Sequence, residues 1–544
     1  MYIKTIPFLF IFCFSCLKIF PSENSNSFTI IENISTLKAS NLTCNNYVKT
    51  LGYYSCGDGG DNEFRIVGST SEEANDGTII KLNNGLYAVS ILDINKINIK
   101  HFGAQNNADA HSDIYFEKYV DWCKKKRDYV VKLPPMALSL YKTYVFTPNA
   151  AGKNIKIIGE HKVEQRYSSE AKANKSRMNH SGTVIYSHAK EGILFDIQNQ
   201  SLYAGVTLEG IALYSNNHKT IAVRIISGGQ ELKIHDLTIT NFAKGALYLN
   251  NIYDGYITNL TIKKCGMFYD NTSHPALRLY ADKTESIYSN NISITNTNAL
   301  HFTNFHFEHC DRFCSFEKCA DIFFVNGKIE SMAGEGKDGN MDPIMSHDSF
   351  LIFKNESGTI SFNSVFFKTP STARMLQSNT NINLTNLPFF IEFEKGNSGN
   401  IFFSNCMFLS YGGGGMPLTC NSDKTYCTIS NSIFKNIATG RNAMNAHNLT
   451  LTGCTLYFEN DGSLYLNNKP CTKAIDKTQK GYPIIIKNRC IISNCRLIFE
   501  QSKFSQSTHT NYKTHIFKNE GNNNLIENNL LIVSDTLKEK CYLK

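Results

Sequence analysis

A short motif recurs along most of this chain and limits what it can fold into. It consists of an apolar residue, any residue, a central Asn, Asp or Gly, a small or apolar residue, any residue and a large apolar residue. The central positions are Gly210, Asp236, Asn259, Asn304, Asn326, Asn363, Asn405, Asn431, Gly453 and Asn494. Several intervals between centres are 22, 23 or 26 residues, and others are 41, 42 or 45, close to two repeats. A period of about 22 residues indicates a solenoid of stacked repeats.

The apolar residues alternate with other residues on both sides of each centre. The third position after every centre is large and apolar, and so is the second position before every centre except Asn363, where Ser361 stands. Alternation with period two predicts short strands that turn one face inward. Asn, Asp and Gly at the centre tolerate the left-handed backbone that a tight bend requires. Parallel strands stacked in this way form a β-helix.

The composition supports a large folded protein. Of 544 residues, 42% are hydrophobic and 19% charged, which excludes wholesale disorder. The 55 basic and 47 acidic residues give a net charge of +8 that is spread without long runs. Because nucleic-acid binding gathers basic residues on one face, we predict no nucleic-acid partner.

One apolar stretch, residues 6–20, stands near the N-terminus after a short segment with one lysine. It is too short for a comfortable transmembrane helix and is typical of a secretory signal. We therefore predict a signal peptide over 1–22, no membrane span and an extracellular location. A lipid anchor on Cys16 is the less favoured alternative, because bacterial lipoprotein signals carry leucine three residues earlier, where Cys13 stands.

Seventeen cysteines are present, and loss of Cys13 and Cys16 with the signal would leave an odd number. Disulfides between Cys44 and Cys56 and between Cys420 and Cys427 are open alternatives. The position after a centre is occupied by cysteine in three repeats, and we expect these residues to be buried thiols that fill the interior: Cys406, Cys454 and Cys495. Cys310, Cys314 and Cys319 do not follow a usual zinc spacing, so we predict no metal and no cofactor.

The segment 97–160 carries a second signal. It contains Phe102-Gly103-Ala104, then Asp109 and Asp113, an amphipathic stretch from Ser112, and a strand that ends in Leu133-Pro134. This order resembles the opening of right-handed parallel β-helix proteins of the pectate-lyase superfamily. It departs from them at Asn106-Asn107-Ala108, where the family has Gly-Asp-Gly. The resemblance implies a helix that caps the coil, with Ser112 at its N-cap and four residues facing the coil: Ile114, Phe116, Val120 and Cys123.

Residues 51–61 and 77–80 are similar to a small β module that precedes the β-helix in phage-tailspike-like proteins. The predicted organisation is an all-β chain: a signal peptide over 1–22, a β module over 40–95, a right-handed single-stranded parallel β-helix over 96–500, and a C-terminal rung with a polar tail over 501–544. Within the module, Asp58, Asp61 and Glu63 fit either a glycine-rich turn, which we favour, or a calcium loop.

The resemblance implies secreted proteins that act on polysaccharides, such as lyases and glycoside hydrolases, although adhesins share the shape. Fold alone does not decide between them. The polygalacturonase motifs are not assembled in this chain, and neither is an Asp-x-Asp cluster typical of the pectate-lyase calcium site. We predict a lyase or glycoside hydrolase acting on an extracellular polysaccharide. The alternative is a non-catalytic carbohydrate-binding adhesin or structural surface protein.

The repeat predicts where the chemistry lies. Glu308 and Glu330 are 22 residues apart, as are Asn304 and Asn326, so the two glutamates should face outward on adjacent rungs about 5 Å apart. Like charges at that separation should raise one pKa and suit an acid paired with a nucleophile or base. His306 and Lys328 could then supply a base for a lyase reaction. The alternative is a surface salt ladder in which Lys328 and His306 neutralise the glutamates.

Further candidates lie in segments that interrupt the period. Residues 331–350 form a long insertion, and Asp338, Asp342 and His347 within it can build one wall of a binding groove. A flexible acidic loop is the alternative. Arg278, at the end of the segment 271–278, is a weaker substrate-binding candidate from another loop.

The repeat also predicts an outward apolar stretch made of Val365, Phe367, Met407, Leu409 and Ile433. Residues of this type need cover. Resemblance to tailspikes implies a homotrimer seam at this stretch, and shelter by the tail from Gln501 is the alternative.

Overall fold

In a computed structural model, the described residues are 28–126, 129–147, 154–160, 182–198, 204–216, 219–226, 231–266, 268–269, 272–282, 296–310, 312–330, 351–354, 357–368, 391–409, 418–420, 422–438, 444–459, 465–466, 469–470, 484–500, 514–515, 517–533 and 541–542. The chain divides into two compact units, Met1–Gly103 and Ala104–Lys544. The finer domain limits given above stay predictions.

The first unit contains a five-stranded sheet. Its strands, in sheet order, are Thr29–Ile31, Tyr47–Thr50, Asn62–Val67, Tyr87–Ser90 and Ile79–Lys81. The first pair is parallel and the others are antiparallel. A helix, Ile34–Ala39, and two 3-10 helices, Ile94–Lys96 and Ile99–Phe102, accompany the sheet. The buried face of the sheet gathers Val48, Phe64, Ile66 and Ile80 around Leu37 of the helix.

Asp58 explains why the glycine-rich turn of this unit is formed. Its two carboxylate oxygens accept hydrogen bonds from the backbone N–H groups of Tyr53, Tyr54, Ser55 and Gly60 at 2.7–3.1 Å. Burial opposes ionisation of Asp58, but these four donors lower its pKa below the ordinary value. The carboxylate therefore has a structural role in the turn, as the favoured interpretation of this segment requires.

The second unit is built from parallel strands in two long sheets. The 21-stranded sheet contains, in chain order, Tyr129–Leu133, Ala137–Leu140, Ile155–Gly159, Val184–Ser187, Val206–Ser215, Leu232–Thr240, Tyr253–Thr258, Thr261–Lys263, Thr297–Glu308, Cys319–Glu330, Thr359–Lys368, Ser398–Ser404, Met407–Leu409, Lys424–Ser430, Ile433–Ala438, Leu449–Thr452, Thr455–Glu459, Ile491–Ser493, Arg496–Glu500, Leu525–Glu527 and Leu530–Val533.

The 12-stranded sheet contains Tyr144–Phe146, Glu191–Gln198, Lys219–Ile226, Gly245–Asn250, Pro275–Tyr280, Arg312–Glu317, Leu351–Lys354, Ile391–Phe393, Leu418–Cys420, Met444–Ala446, Ile484–Ile486 and Phe517–Asn519. Among the residues that the structure describes in this unit, three short pairs lie outside both sheets: Phe268–Tyr269 with Thr272–Ser273, Tyr465–Leu466 with Lys469–Pro470, and Thr514–His515 with Cys541–Tyr542. The chain alternates between the two long sheets, and each strand pairs with its equivalent one coil later. The predicted parallel β-helix is therefore confirmed.

The bends of the coil fall where the motif places them. Nine of the ten predicted centres have φ between 47° and 65°, the left-handed conformation that favours Asn and Gly. The tenth prediction is wrong by one residue, because the left-handed bend lies at Ser364 (φ 56°) and not at Asn363. With the bend at Ser364, the second position before it is the buried Phe362, so the apparent exception at Ser361 disappears.

This shift reverses the faces of the residues that follow the bend. Val365 and Phe367, which we expected to face outward, are 1% and 0% exposed and pack inside the coil. Phe366 takes the outward position instead and pairs with Met407 on the next strand. The outward assignment is correct for Met407, Leu409 and Ile433, of which Ile433 is 38% exposed. Alternation with period two makes this unavoidable, since a slip by one residue exchanges the two faces.

Stacked aromatic rings fill the interior of the coil. Phe302, Phe324, Phe362 and Phe403 form one column with ring centroids 4.4–5.0 Å apart. Phe367, Phe408 and Phe434 form another column, with spacings of 4.8 and 4.5 Å. The same inward position on successive strands thus carries the same ring, because the stacking distance of aromatic rings matches the spacing of the strands.

The thirteen cysteines whose side chains the structure describes are all free thiols. Both proposed pairs, Cys44 with Cys56 and Cys420 with Cys427, are therefore unformed in this structure. The three cysteines expected as interior fillers, Cys406, Cys454 and Cys495, are 0–2% exposed, as predicted. Burial raises the pKa of the Cys406 thiol to about 11, which keeps it protonated and unreactive.

The predicted capping helix is present as Asp113–Lys125. Ser112 occupies its N-cap, but its side chain makes no capping hydrogen bond. Phe116, Val120 and Cys123 are buried as expected, whereas Ile114 is 56% exposed and the prediction for it is wrong. In a helix, residue 114 lies well away from the stripe formed by residues 116, 120 and 123. No helix within the described residues is long and apolar enough to cross a membrane.

Candidate functional site

The two glutamates lie on neighbouring strands in the predicted register. The strands Thr297–Glu308 and Cys319–Glu330 are parallel and pair Glu308 with Glu330 and His306 with Lys328. Between these outward positions, Phe307 and Ile329 point inward and are each 1% exposed. The alternation of the strand therefore holds four polar side chains together over a rigid apolar support.

Three further basic side chains complete this group. Lys263 pairs with Glu308 on the preceding strand, Lys368 pairs with Glu330 on the following strand, and His309 follows Glu308 along the chain. We call the seven residues the charged cluster: Lys263, His306, Glu308, His309, Lys328, Glu330 and Lys368.

Each carboxylate in the charged cluster has basic partners. Glu308 Oε1 accepts from His309 Nε2 at 3.0 Å, and Lys263 Nζ lies 3.3 Å from Glu308 Oε2. Glu330 forms ion pairs with Lys328 through Oε2 and with Lys368 through Oε1. The Glu330 side chain is only 10% exposed and that of Glu308 is 24% exposed. Both carboxylates are therefore held in place and neutralised.

The expected rise of one carboxyl pKa is wrong. The hydrogen bond from His309 is the main cause that lowers the pKa of Glu308 to about 2. Burial opposes ionisation of Glu330, but Lys328 and Lys368 outweigh it and lower its pKa below the ordinary value. Repulsion between the two glutamates is thus overcome by the cations around them, and both are ionised near neutral pH.

His306 lies between the two carboxylates. Its Nε2 is 3.7 Å from Glu308 Oε2 and 4.0 Å from Glu330 Oε2, and it is enclosed without a hydrogen-bond partner. Burial is the main cause that lowers the pKa of His306, and the positive charges of Lys263 and Lys328 add to it. The imidazole is therefore mainly neutral at pH 7. A proton on Nε2 faces the two carboxylates, which leaves Nδ1 as the basic nitrogen.

Acid should weaken the fold through Glu308. Its pKa is 4.5 in an unperturbed chain and about 2 in the folded protein. A lowered pKa contributes stability that is present above pH 4.5 and is lost as the pH falls toward 2. We expect the difference in unfolding free energy between the wild type and Glu308→Gln to narrow over that range. Urea titrations at a series of pH values measure it, and a difference that stays constant would contradict the pairing.

Arg278 lies elsewhere in the coil. It is in the strand Pro275–Tyr280 of the 12-stranded sheet, not in a loop, so the structure does not bring it into the charged cluster. Its guanidinium donates to both oxygens of Glu317, at 3.3 and 2.9 Å, and lies over the Tyr280 ring at 4.1 Å. These contacts pair Arg278 with Glu317 and Tyr280, and a role of Arg278 in substrate binding stays a prediction. The candidates Asp338, Asp342 and His347 lie outside the described residues.

Three members of the charged cluster escaped the sequence-based assignment. Lys263 has the same place in its repeat as Glu308, so the repeat predicts its outward position. The repeat does not predict that it pairs with a glutamate 45 residues away. Lys368 was missed because the bend was placed at Asn363, one residue early. His309 follows the strand, where the period carries no information. Among the described residues, no group of His, Cys, Asp and Glu has the arrangement of a metal site.

No protein-family model and no curated protein sequence matches this chain. Solved structures similar to it include Pantoea stewartii WceF, described as a glycan biofilm modifying enzyme with a tailspike-like parallel β-helix fold (11% identity, TM-score 0.39, 92% of this chain and 48% of that one). Others are the tailspike protein of Acinetobacter phage vB_ApiP_P1 (12%, 0.49, 86% and 70%) and gp49 of Acinetobacter baumannii phage Fri1, described as a capsular polysaccharide depolymerase (12%, 0.32, 93% and 69%).

The chain spans about half the length of WceF. At these identities and TM-scores, the similarities carry no argument about activity, and the fold assignment rests on the strand pairing described above. The fold and the cluster together define a parallel β-helix protein with a charged group on its outer face.

Proposed function

We propose that this protein is an extracellular lyase that cleaves an acidic, uronate-containing polysaccharide at the charged cluster. The observation that carries the proposal is His306, a mainly neutral imidazole held between two ionised carboxylates and surrounded by lysines. A base with a lowered pKa beside positive charges suits removal of a proton from an anionic substrate.

The chemistry follows from the placement of these groups. A lysine ammonium beside the uronate carboxylate neutralises it and makes the neighbouring C5 hydrogen more acidic. His306 Nδ1 takes the C5 proton, the C5 electron pair forms the C4–C5 double bond, and the C4–O bond breaks with its electrons going to the leaving oxygen. Lys328 donates a proton to that oxygen, because its side chain is 42% exposed whereas those of Lys263 and Lys368 are 22% and 19% exposed. Glu330 positions Lys328 through their ion pair, and the negative charges of Glu308 and Glu330 beside Nε2 stabilise the imidazolium that forms on His306.

A retaining hydrolase is a weaker fit to this geometry. That mechanism needs one protonated carboxylic acid near neutral pH beside an ionised nucleophile. Both glutamates here have lowered pKa values and accept from basic partners. Neither carboxyl is therefore available as the general acid, and the elimination route uses the groups that are available.

Replacement of His306 by glutamine tests the assignment. We expect a panel of uronate-containing polysaccharides to yield an unsaturated product with ultraviolet absorbance, and His306→Gln to lower the rate by roughly 10²–10⁴-fold. His235→Gln is the matched control, since His235 is also an outward histidine of the same sheet, and its side chain is 48% exposed. Full activity in His306→Gln places the chemistry elsewhere, and new reducing ends without unsaturation indicate a hydrolase.

A non-catalytic glycan-binding surface protein is the second candidate. The observation that favours it is that the carboxylates already form a closed set of ion pairs, as in the predicted salt ladder. In this case folded protein gives no product from any glycan of the panel, and its glycan binding survives Glu308→Gln.

Export and assembly belong to the same proposal. The expected signal peptide lies outside the described residues. The corrected outward apolar row is Phe366, Met407 and Ile433, which occupy one position on three successive strands. A homotrimer seam at this row stays a prediction. The groove wall that we expect Asp338, Asp342 and His347 to form also stays a prediction.

A further inference from the structure

An aromatic row lies on the 21-stranded sheet, on the other side of the bends from the charged cluster. It consists of Tyr256, His301 and Phe323, which occupy one outward position on three successive strands. The Tyr256 and His301 rings are 5.3 Å apart with planes 13° from parallel, and the His301 and Phe323 rings are 4.9 Å apart with planes 15° from parallel. Tyr256 is 59% exposed, so the row meets solvent and does not fill the core.

The row is interrupted after Phe323 and then resumes. The next strand places Ser361 at the same position, and the strand after that places Phe402, which is 39% exposed. Two strand spacings separate the backbones of Phe323 and Phe402 by about 10 Å. Rings in the row are 4.9–5.3 Å apart, so one ring of the same thickness fits above Ser361 between the two phenylalanines. We call this space the Ser361 gap.

Small, mainly polar side chains border the Ser361 gap. The outward position two residues further along each strand carries Thr303, Val325, Asn363 and Ser404. Hydroxyl and amide groups at such places donate to and accept from the hydroxyls of a sugar. The faces of the flanking phenyl rings are apolar and carry negative potential, which suits the C–H groups on the face of a pyranose.

The charges near the gap indicate a neutral ligand. Lys328 and Lys368 of the charged cluster follow the bends at Asn326 and Ser364, whereas the row precedes them. At the row position itself, Ser361 and its neighbours Phe323 and Phe402 carry no charge. A nucleotide would fit a slot of this thickness, but its phosphates require Lys or Arg beside it. An uncharged sugar ring matches both the thickness of the gap and the absence of charge at the row position.

We propose that the Ser361 gap is a binding subsite for one uncharged pyranose unit of a glycan, which stacks between Phe323 and Phe402. The subsite concerns binding alone, so it does not depend on the elimination chemistry at the charged cluster. If both proposals hold, the glycan contains neutral units as well as uronates.

Two variants and one control test the subsite by calorimetric titration with neutral glucose, galactose and N-acetylglucosamine oligosaccharides. Ser361→Phe should complete the column of rings, keep the fold and abolish binding. Phe402→Ala should remove one wall and weaken binding by roughly tenfold. Ile491→Ala is the control, because Ile491 is an exposed apolar residue at the same outward position three strands beyond Phe402, and it should bind as the wild type does.

The outcomes are decisive for the gap. Wild-type affinity in a folded Ser361→Phe protein overturns the subsite, as does the absence of binding by the wild type to every oligosaccharide of the panel. Tighter binding of a single-stranded oligonucleotide than of any sugar, lost in Ser361→Phe, also overturns it in favour of a base-stacking site. The same titration of His306→Gln separates the two proposals, because binding at the gap should persist there whether or not the wild type has lyase activity.

Discussion

Replacement of Phe307 by alanine should lower the free energy of unfolding by about 3–5 kcal/mol. The Phe307 side chain is 1% exposed and its ring lies 5.3 Å from that of Phe305 and 4.5 Å from that of Phe313. Its loss leaves a cavity that stacked parallel strands cannot close, because the positions of their backbones are fixed by pairing on both sides. Urea denaturation followed by circular dichroism measures the change.

The control for Phe307 is one residue away on the same strand. His306→Gln changes an outward side chain that is 34% exposed, so its unfolding free energy should stay within about 1 kcal/mol of that of the wild type. If Phe307→Ala lowers the free energy of unfolding as little as His306→Gln does, the strand is not packed against the interior as described.

Glu330→Gln should lower the free energy of unfolding by about 1–3 kcal/mol. An outward strand position by itself predicts almost no cost. However, the Glu330 carboxylate is 10% exposed and pairs with two lysines, which lose their counter-charge in the variant. Urea denaturation near pH 7 gives the change, and it should be accompanied by loss of activity because Lys328 is no longer positioned.

A double-mutant cycle isolates the interaction between Lys368 and Glu330. We expect Lys368→Met to lower the free energy of unfolding of the wild type and to leave that of the Glu330→Gln protein nearly unchanged, since the partner of Lys368 is already absent there. Strictly additive costs would show that Lys368 and Glu330 do not stabilise each other. The exposed pair Lys518 with Glu520, whose side chains are 46% and 37% exposed, provides a comparison that should show little coupling.

The sequence predicts the register of the charged cluster, because in a solenoid two residues separated by one repeat lie side by side on adjacent strands. The equal spacing of Asn304 from Asn326 and of Glu308 from Glu330 was enough to place the two glutamates on paired strands. The spacing failed at Ser364, because serine resembles the small residue that usually follows a bend and Asn363 resembles a centre. One misplaced bend hid Lys368 and turned Val365 and Phe367 to the wrong face.

The same spacing rule could not predict the direction in which the pKa values of Glu308 and Glu330 shift. Two carboxylates on adjacent strands predict a raised pKa only when nothing else is near, and the sign depends on Lys263, His309 and Lys368, which come from three different strands or turns. The aromatic row is a different case. Tyr256, His301 and Phe323 each stand three residues before a centre, so the repeat places them at one outward position. The misplaced bend at Asn363 put Ile360 there in place of Ser361, and the gap became visible only in the structure.

The sequence by itself determined the fold class, nine of the ten bends, and the inward face of most strands, since each depends on local alternation and on a residue that accepts a left-handed backbone. The tertiary structure alone decided which charges meet, where Arg278 lies, and where a gap one ring thick opens in the aromatic row. These features depend on side chains from different coils, and their distances depend on the length of every turn between them, which the repeat does not encode.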